Sequence, residues 1–150
     1  MDELRDLYQE IILDHNKNPK NFHVMEDATH KSDGHNPLCG DRLTVYLHVD
    51  GDRITDVSFQ GSGCAISKAS ASVMTTALKG KTVEEARELF HKFQDMLTRE
   101  DAAIPDLDEF GQLAAFAGVR EFPVRVKCAT LSWHTTMAAL DDENKIVSTE

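Results

Sequence analysis

The chain has 150 residues, with 26 acidic and 16 basic side chains and a formal net charge of −10 at pH 7. That length suits one domain with a hydrophobic core that needs no disulfide bonds. The negative charge excludes nucleic acid and anionic membrane surfaces as partners, because affinity for them comes from Lys and Arg neutralising phosphates. An acidic protein can still be attracted to a basic protein partner.

The first twenty residues lack the basic region, apolar run and cleavage site of a signal peptide. No apolar run approaches the roughly 18–20 residues that a membrane helix needs. The three cysteines are an odd number and are scattered along the chain. Such cysteines indicate metal binding or catalysis and not a disulfide framework. We therefore expect a cytoplasmic protein that does not bind membranes.

The N-terminal part of the chain predicts a helix followed by a long connection. Apolar residues recur at helical spacing from Leu4 to Ile12, and Pro19 is expected to follow the end of the helix. Residues 16–38 are rich in Asn, Asp, Gly and His, and predict a polar connection without regular structure. The histidines from His15 to His35 are expected to be solvated there.

Two strands follow in the sequence. Apolar and polar residues alternate from Leu43 to Val49, and the residues Asp50 to Asp52 predict a hairpin turn. The second strand runs from Arg53 to Gln60, with a bulge near Thr55 and Asp56 because its apolar residues do not alternate cleanly. Gly61-Ser62-Gly63 is expected to end this strand.

The remainder of the chain predicts helices. The predicted elements are an Ala- and Ser-rich helix over 64–79, a helix opened by a capping box at Thr82–Glu85, an acidic loop over 98–109, a short helix from Phe110 to Ala117 and a final helix from Pro123 to Leu140. Strands in one run and helices in another predict an α+β fold. We expect helices packed on one face of a small antiparallel sheet, in a single domain over residues 1–150.

The three cysteines lie beside predicted element boundaries, where functional sites are commonly built. Cys39 precedes the first strand, Cys64 follows the glycine-rich turn at the start of a helix, and Cys128 lies in the first turns of the last helix. Arg125 and Lys127 are close to Cys128 in sequence. Helix N-termini and nearby cations favour the thiolate, which is both the nucleophile and the metal ligand.

Three thiolates and one carboxylate would complete a tetrahedral zinc site. Asp41 is the natural fourth ligand, because in an extended chain it faces the same way as Cys39. The sequence has no CxxC pair, and a carboxylate ligand favours a site in which one ligand can be exchanged. Another interpretation stays open, since free cysteines are often buried and all three could belong to the core.

Four segments together resemble the SufU and IscU family of iron–sulfur cluster assembly proteins, over nearly the whole chain. They are Leu4–Asn21, Asn36–Asp41 (NPLCGD), Phe59–Ser70 (FQGSGCAISKAS) and Val124–His134 (VRVKCATLSWH). The resemblance favours the SufU branch, because Lys127 stands where IscU scaffolds typically have a histidine before the third cysteine. The stretch from about residue 98 to 118 also matches an insertion that SufU-type proteins carry between their second and third cysteines.

The resemblance implies a zinc ion held by Cys39, Asp41, Cys64 and Cys128. It implies a sulfurtransferase in which Cys39 accepts persulfide sulfur from a SufS-type, pyridoxal-phosphate-dependent cysteine desulfurase. A downstream Suf cluster-assembly scaffold would then receive the sulfur. Two alternatives remain: an IscU-like scaffold that assembles a transient iron–sulfur cluster on the same residues, and a structural zinc-binding domain that only mediates interactions.

Overall fold

A computed structural model of the chain describes residues 2–98, 110–141 and 147–148. The elements in chain order are α1 (Asp2–Lys17), β1 (His30–Asn36), β2 (Asp41–Asp50), β3 (Arg53–Ser62), α2 (Ala65–Leu78), α3 (Val83–Thr98), a 3-10 helix (Gly111–Glu121), α4 (Pro123–Leu140) and β4 (Val147–Ser148). The predicted α+β class is confirmed. No helix within the described ranges is long and apolar enough to cross a membrane.

The sheet has the strand order β3-β2-β1-β4. Strands β1, β2 and β3 are antiparallel neighbours, and the short β4 pairs with β1 in parallel. Gly51, with a φ of 64°, lies in the tight turn between β2 and β3. His48 pairs with Asp56 and Val49 with Ile54, so Thr55 is the extra residue and the predicted bulge is confirmed.

Strand β1 corrects the expectation of an irregular connection over residues 16–38. Its buried residues are Ser32, Gly34 and Asn36, so the strand has no apolar alternation by which it could be recognised. The small side chains are required because α4 lies close to this strand. A Cβ on Gly34 would collide with Thr135 Oγ1.

Two further expectations are corrected near element ends. Gly61 and Ser62 do not end β3 but remain paired with β2. The short helix expected from Phe110 is a longer 3-10 helix that ends at Glu121. The acidic loop predicted over residues 98–109 lies, apart from Thr98, outside the described residues.

The main core lies between the sheet and the helices α2, α3, α4 and the 3-10 helix. The Trp133 ring of α4 is fully buried with its centroid 4.9 Å from that of Phe93 in α3. Phe93 in turn meets Phe116 of the 3-10 helix edge to face. This packing fixes α4, which carries Cys128, relative to α3 and the 3-10 helix.

The capping box predicted for α3 is confirmed. The Glu85 backbone N–H donates to Thr82 Oγ1 at 3.1 Å, and the Thr82 N–H donates to the Glu85 carboxylate at 2.9 Å. Hydrogen bonding from the Thr82 backbone N–H, and then from the Thr82 side chain, lowers the pKa of the Glu85 carboxyl group. Pro123 occupies the first turn of α4, where its missing N–H costs no helical hydrogen bond.

Candidate metal centre

Hairpin topology brings three of the predicted site residues to one end of the sheet. Residues 37–40 form the turn between β1 and β2, in which Gly40 adopts a φ of 72° that favours glycine. Cys39 lies in this turn, and Asp41 is the first residue of β2. Strand β3 returns antiparallel to β2, so Cys64, which follows β3, lies at the same end.

Cys64 is the N-cap residue of α2. Its backbone is extended, with φ −70° and ψ 168°, and its sulfur accepts a hydrogen bond from the Ser67 N–H. The Cys64 N–H donates to Asp41 Oδ1 at 2.8 Å. The predicted position of Cys64 at a helix N-terminus is confirmed, and its backbone ties the start of α2 to Asp41.

Cys128 lies in the second turn of α4 and is fully buried. Its Sγ donates to Cys39 Sγ at 3.1 Å, a separation well beyond the roughly 2.05 Å of a disulfide bond. Burial raises the pKa of the Cys128 thiol, and its hydrogen bond to Cys39 and the charge of Cys64 raise that pKa further. The surrounding protein therefore favours the protonated sulfur that donates to Cys39.

Ligand atoms of Cys39, Asp41 and Cys128 all lie within 4.8 Å of one another. In the part of the chain that the structure describes, no other group of three or more Cys, His, Asp or Glu side chains comes so close together. The Cys64 sulfur is outside this group, although its charge acts on Cys128. Two soft sulfurs and one carboxylate oxygen fit a metal of intermediate softness better than magnesium or calcium.

Arg125 places a positive charge beside these thiols. Its guanidinium Nη1 lies 4.0 Å from Cys39 Sγ. The pKa of Arg125 is raised, first by its hydrogen bond to Cys128 and then by the charges of Cys64, Cys128 and Cys39. The predicted proximity of Arg125 to the thiols is thus observed.

Sequence reasoning missed Asn36, which contacts the same cluster. This residue is fully buried, and its Nδ2 donates to Asp41 Oδ2 at 3.3 Å and to Cys128 Sγ at 3.5 Å. It stands first in the NPLCGD segment, so the signal was present, but nothing in the spacing distinguished it from a turn residue.

No histidine joins the metal-ligand group found among the described residues. His15 was expected to be solvated and is instead buried, with its ring nitrogens bonded to Ser72 and Gln112. It thereby links α1 to α2 and to the 3-10 helix. His134 is half-buried with its ring edge-on to Phe90, and burial lowers its pKa.

A surface groove opens beside the cluster, with a volume of about 810 Å³. It runs between α1, the start of α2, the 3-10 helix and α4, from Tyr8 to Phe122 and Arg125. Three exposed apolar side chains, which we call the apolar rim, lie beside the site in sequence: Leu38, Phe122 and Val124. Phe122 also lines the groove, so one exposed aromatic side chain and Arg125 belong to the same surface.

Comparison with known proteins places this arrangement in a family. The model of the NifU-like N terminal domain matches residues 7–129, which include all three cysteines and Asp41. The chain belongs to this family. The resemblance to the SufU and IscU proteins is likewise confirmed by similarity to individual members.

Over 127 residues the chain is 46% identical to the zinc-dependent sulfurtransferase SufU of Bacillus subtilis (strain 168), which covers 85% of this chain and 84% of that protein. It is 38% identical over 140 residues to the iron–sulfur cluster assembly scaffold protein IscU of Streptococcus pyogenes serotype M1, with 93% and 86% covered. A solved SufU structure from Fervidobacterium islandicum AW-1 superposes with a TM-score of 0.81 at 39% identity, covering 91% of this chain and 98% of that one.

Proposed function

We propose that the protein is a zinc-binding sulfur acceptor, which takes persulfide sulfur from a SufS-type cysteine desulfurase and delivers it for iron–sulfur cluster assembly. The observation that carries this proposal is the contact of a partly exposed thiol, Cys39, with the buried Cys128, and the position of the buried Asp41 within 4.8 Å of both. The name of the Bacillus subtilis relative supports it. Free thiols persist in reducing compartments, which favours the cytoplasm as the place of this reaction.

The proposed metal ligands are Cys39, Asp41, Cys64 and Cys128. Three of their ligand atoms already lie close together, and Cys64 is tied to Asp41 through its backbone N–H. Zinc accepts such a set of three sulfurs and one oxygen. When bound, zinc would supply the charge that keeps these thiols deprotonated.

Among these ligands, Cys39 is best placed to leave the metal and react. Cys39 and Cys64 are both half-buried, whereas Cys128 is buried within a helix. Cys39 lies in a turn, whereas Cys64 caps α2 and its sulfur accepts a hydrogen bond from the Ser67 N–H. Asp41 is buried as well, and both of its oxygens accept hydrogen bonds, from Cys64 and from Asn36. Cys39 is therefore the ligand that we expect a sulfur donor to reach first.

The proposed transfer is a thiol–disulfide exchange. The Cys39 thiolate attacks the outer sulfur of the donor persulfide and forms a new sulfur–sulfur bond. The donor's own sulfur–sulfur bond breaks, and its electron pair remains on the donor cysteine, which leaves as a thiolate. The step involves no net oxidation or reduction. Arg125, at 4.0 Å from Cys39 Sγ, stabilises negative charge at the reacting sulfur.

Mass spectrometry tests the acceptor role directly. The zinc-loaded protein is incubated with a SufS-type desulfurase and cysteine, and added sulfur is mapped by peptide. We expect an adduct of about 32 Da on Cys39. Cys39→Ser is the decisive test variant, because serine has nearly the size of cysteine but cannot carry a persulfide. Adduct on another cysteine, or wild-type transfer by Cys39→Ser, would contradict the assigned role.

A scaffold role is the second candidate, favoured by the name of the Streptococcus pyogenes relative. It predicts that the protein, supplied with iron and sulfide, acquires the visible absorbance of a stable cluster. The sulfur-acceptor role predicts instead that zinc remains bound and that desulfurase turnover increases. The two measurements on one preparation separate these functions.

A further inference from the structure

Asn36 contacts three of the four proposed ligands. It is the last residue of β1 and lies opposite Asp41 in the β1–β2 ladder. Its side-chain amide donates to Asp41 Oδ2 at 3.3 Å and to Cys128 Sγ at 3.5 Å. Its backbone carbonyl accepts the Cys39 N–H at 3.3 Å. One residue therefore connects the turn that carries Cys39, the start of β2 and the second turn of α4.

The orientation of this amide follows from the charges around it. With the nitrogen directed at the site, a neutral donor meets a carboxylate and a thiol, both of which accept hydrogen bonds. The reversed amide would direct its oxygen at the same two acceptors, which is repulsive. Because the amide is a neutral hydrogen-bond donor, it does not repel a metal cation that binds in the same pocket, as a Lys or Arg side chain would.

The orientation leaves the other end of the amide unsatisfied. Asn36 Oδ1 is buried, and it has no hydrogen-bond partner in the described part of the chain. Unpaired buried polar atoms are rare in native proteins because they lose their hydration without compensation. Five other buried side-chain atoms of the described residues are unpaired as well, so this cost alone assigns no role. What an apolar residue at this position could not supply is the pair of hydrogen bonds that the Asn36 nitrogen donates.

We propose that Asn36 is a positioning residue, which holds the Asp41 carboxylate and the Cys128 sulfur in the arrangement needed for metal binding. The inference rests on the proposed function for its consequence in sulfur transfer, but its metal-binding part stands without it. Hydrogen bonds to metal ligands orient them, and loss of such a partner commonly weakens metal affinity by about 10–100-fold.

Cobalt binding by Asn36→Ala tests this inference with a readout that folding alone does not move. Co²⁺ bound by thiolates absorbs visible light with an intensity and wavelength that depend on ligand geometry. We expect an altered spectrum and about 10–100-fold weaker retention of the metal against a chelator. Asn21→Gly is the control, since the Asn21 amide donates to Thr75 in the last turn of α2, at the opposite end from Cys64, and glycine adopts its φ of 55° without strain.

The possible outcomes distinguish failure of the positioning role from failure of the proposed function. An unchanged cobalt spectrum and chelator titration in a folded Asn36→Ala would overturn the inference. Should that variant fail to fold without metal, Asn36→Ser takes its place, and unfolding of both would make the role structural and overturn the inference as well. If wild-type protein binds cobalt normally but accepts no sulfur, the proposed function fails while the positioning role remains.

Discussion

At the scale of single residues, Gly63 has a steric role beside the proposed metal site. A Cβ built on Gly63 would lie 2.6 Å from Asp41 Oδ1 and 3.2 Å from the Asp41 Cβ. Both distances are shorter than ordinary carbon contacts, and Asp41 is fully buried with both oxygens bonded. The carboxylate therefore has little room to move aside. Glycine at this position leaves space for Asp41 in its bonded orientation.

We predict that Gly63→Ala weakens zinc binding by displacing Asp41. The expected loss is about 10–100-fold in affinity, similar to the loss of a group that orients a ligand. Competition with a chelator measures it. Gly118→Ala is the control, because a Cβ at Gly118 meets nothing within 4 Å. Equal affinity for zinc in the two variants would show that Asp41 is not a ligand or tolerates the shift.

At the scale of elements, the sequence predicts those parts of the fold whose apolar pattern is strong. Strand β2 alternates clearly, and α3 has both a capping box and an amphipathic stripe. Strand β1 has neither signal, because its inward side chains must be small to admit α4. Its polar character comes from a tertiary contact, which no local pattern encodes.

Among the site residues, too, some positions could be predicted from the sequence and others could not. The cysteines were recognisable as a set through family resemblance, whereas their spacing alone left a core role open. Cys64 was expected at a helix N-terminus because glycines precede it and a helical pattern follows. His15 gave no signal, because its two partners lie 57 and 97 residues away in sequence. Asn36 stands in the NPLCGD segment but was not distinguished from a turn residue, because its bond to Cys128 spans 92 residues. Their hydrogen bonds exist only after the helices have packed.

The capping box of α3 predicts a pH dependence of stability. The folded state lowers the pKa of Glu85 below its ordinary value of 4.5, so its stabilising contribution is present above that value and is lost as the pH falls through the folded pKa. Glu85→Gln keeps an acceptor for Thr82 but has no charge. Relative to this variant, wild-type protein should melt higher at pH 7 and lose that advantage at an acidic pH well below 4.5.

Thermal melting at the two pH values measures this effect. Glu84→Gln is the matched control, because it removes a neighbouring charge from the same helical turn but leaves the capping box intact. A pH dependence that is equal for the two variants would attribute the effect to the helix dipole and not to the bond with Thr82.

The apolar rim predicts where the sulfur donor binds. Val124→Ser removes apolar surface beside Arg125 without changing charge, and the contact it loses corresponds to about 1 kcal/mol. We expect the desulfurase concentration for half-maximal transfer to rise about fivefold. Val24→Ser is the control, since both valines are 51% exposed but Val24 lies in the connection before β1. Equal effects of the two substitutions would place the docking surface elsewhere.

At the scale of the whole molecule, the proposed metal site holds a positively charged side chain in a chain that is acidic as a whole. The chain carries a net charge of −10, yet Arg125 lies against the thiols at the mouth of the groove. Metal ligands that are anionic when bound add negative charge at this point, and the guanidinium offsets part of it.

The expectation of a single domain over residues 1–150 remains a prediction, and the packing of Trp133 provides its test. This residue is the one tryptophan of the sequence, fully buried between α4 and α3. Its fluorescence reports the helical core, whereas far-ultraviolet circular dichroism reports all helices and strands. Because α4 also packs against β1 through Thr135 and Gly34, the core and the sheet should unfold together. Coincident melting curves are expected, and a sheet signal that outlasts the loss of Trp133 packing would indicate two separately folding units.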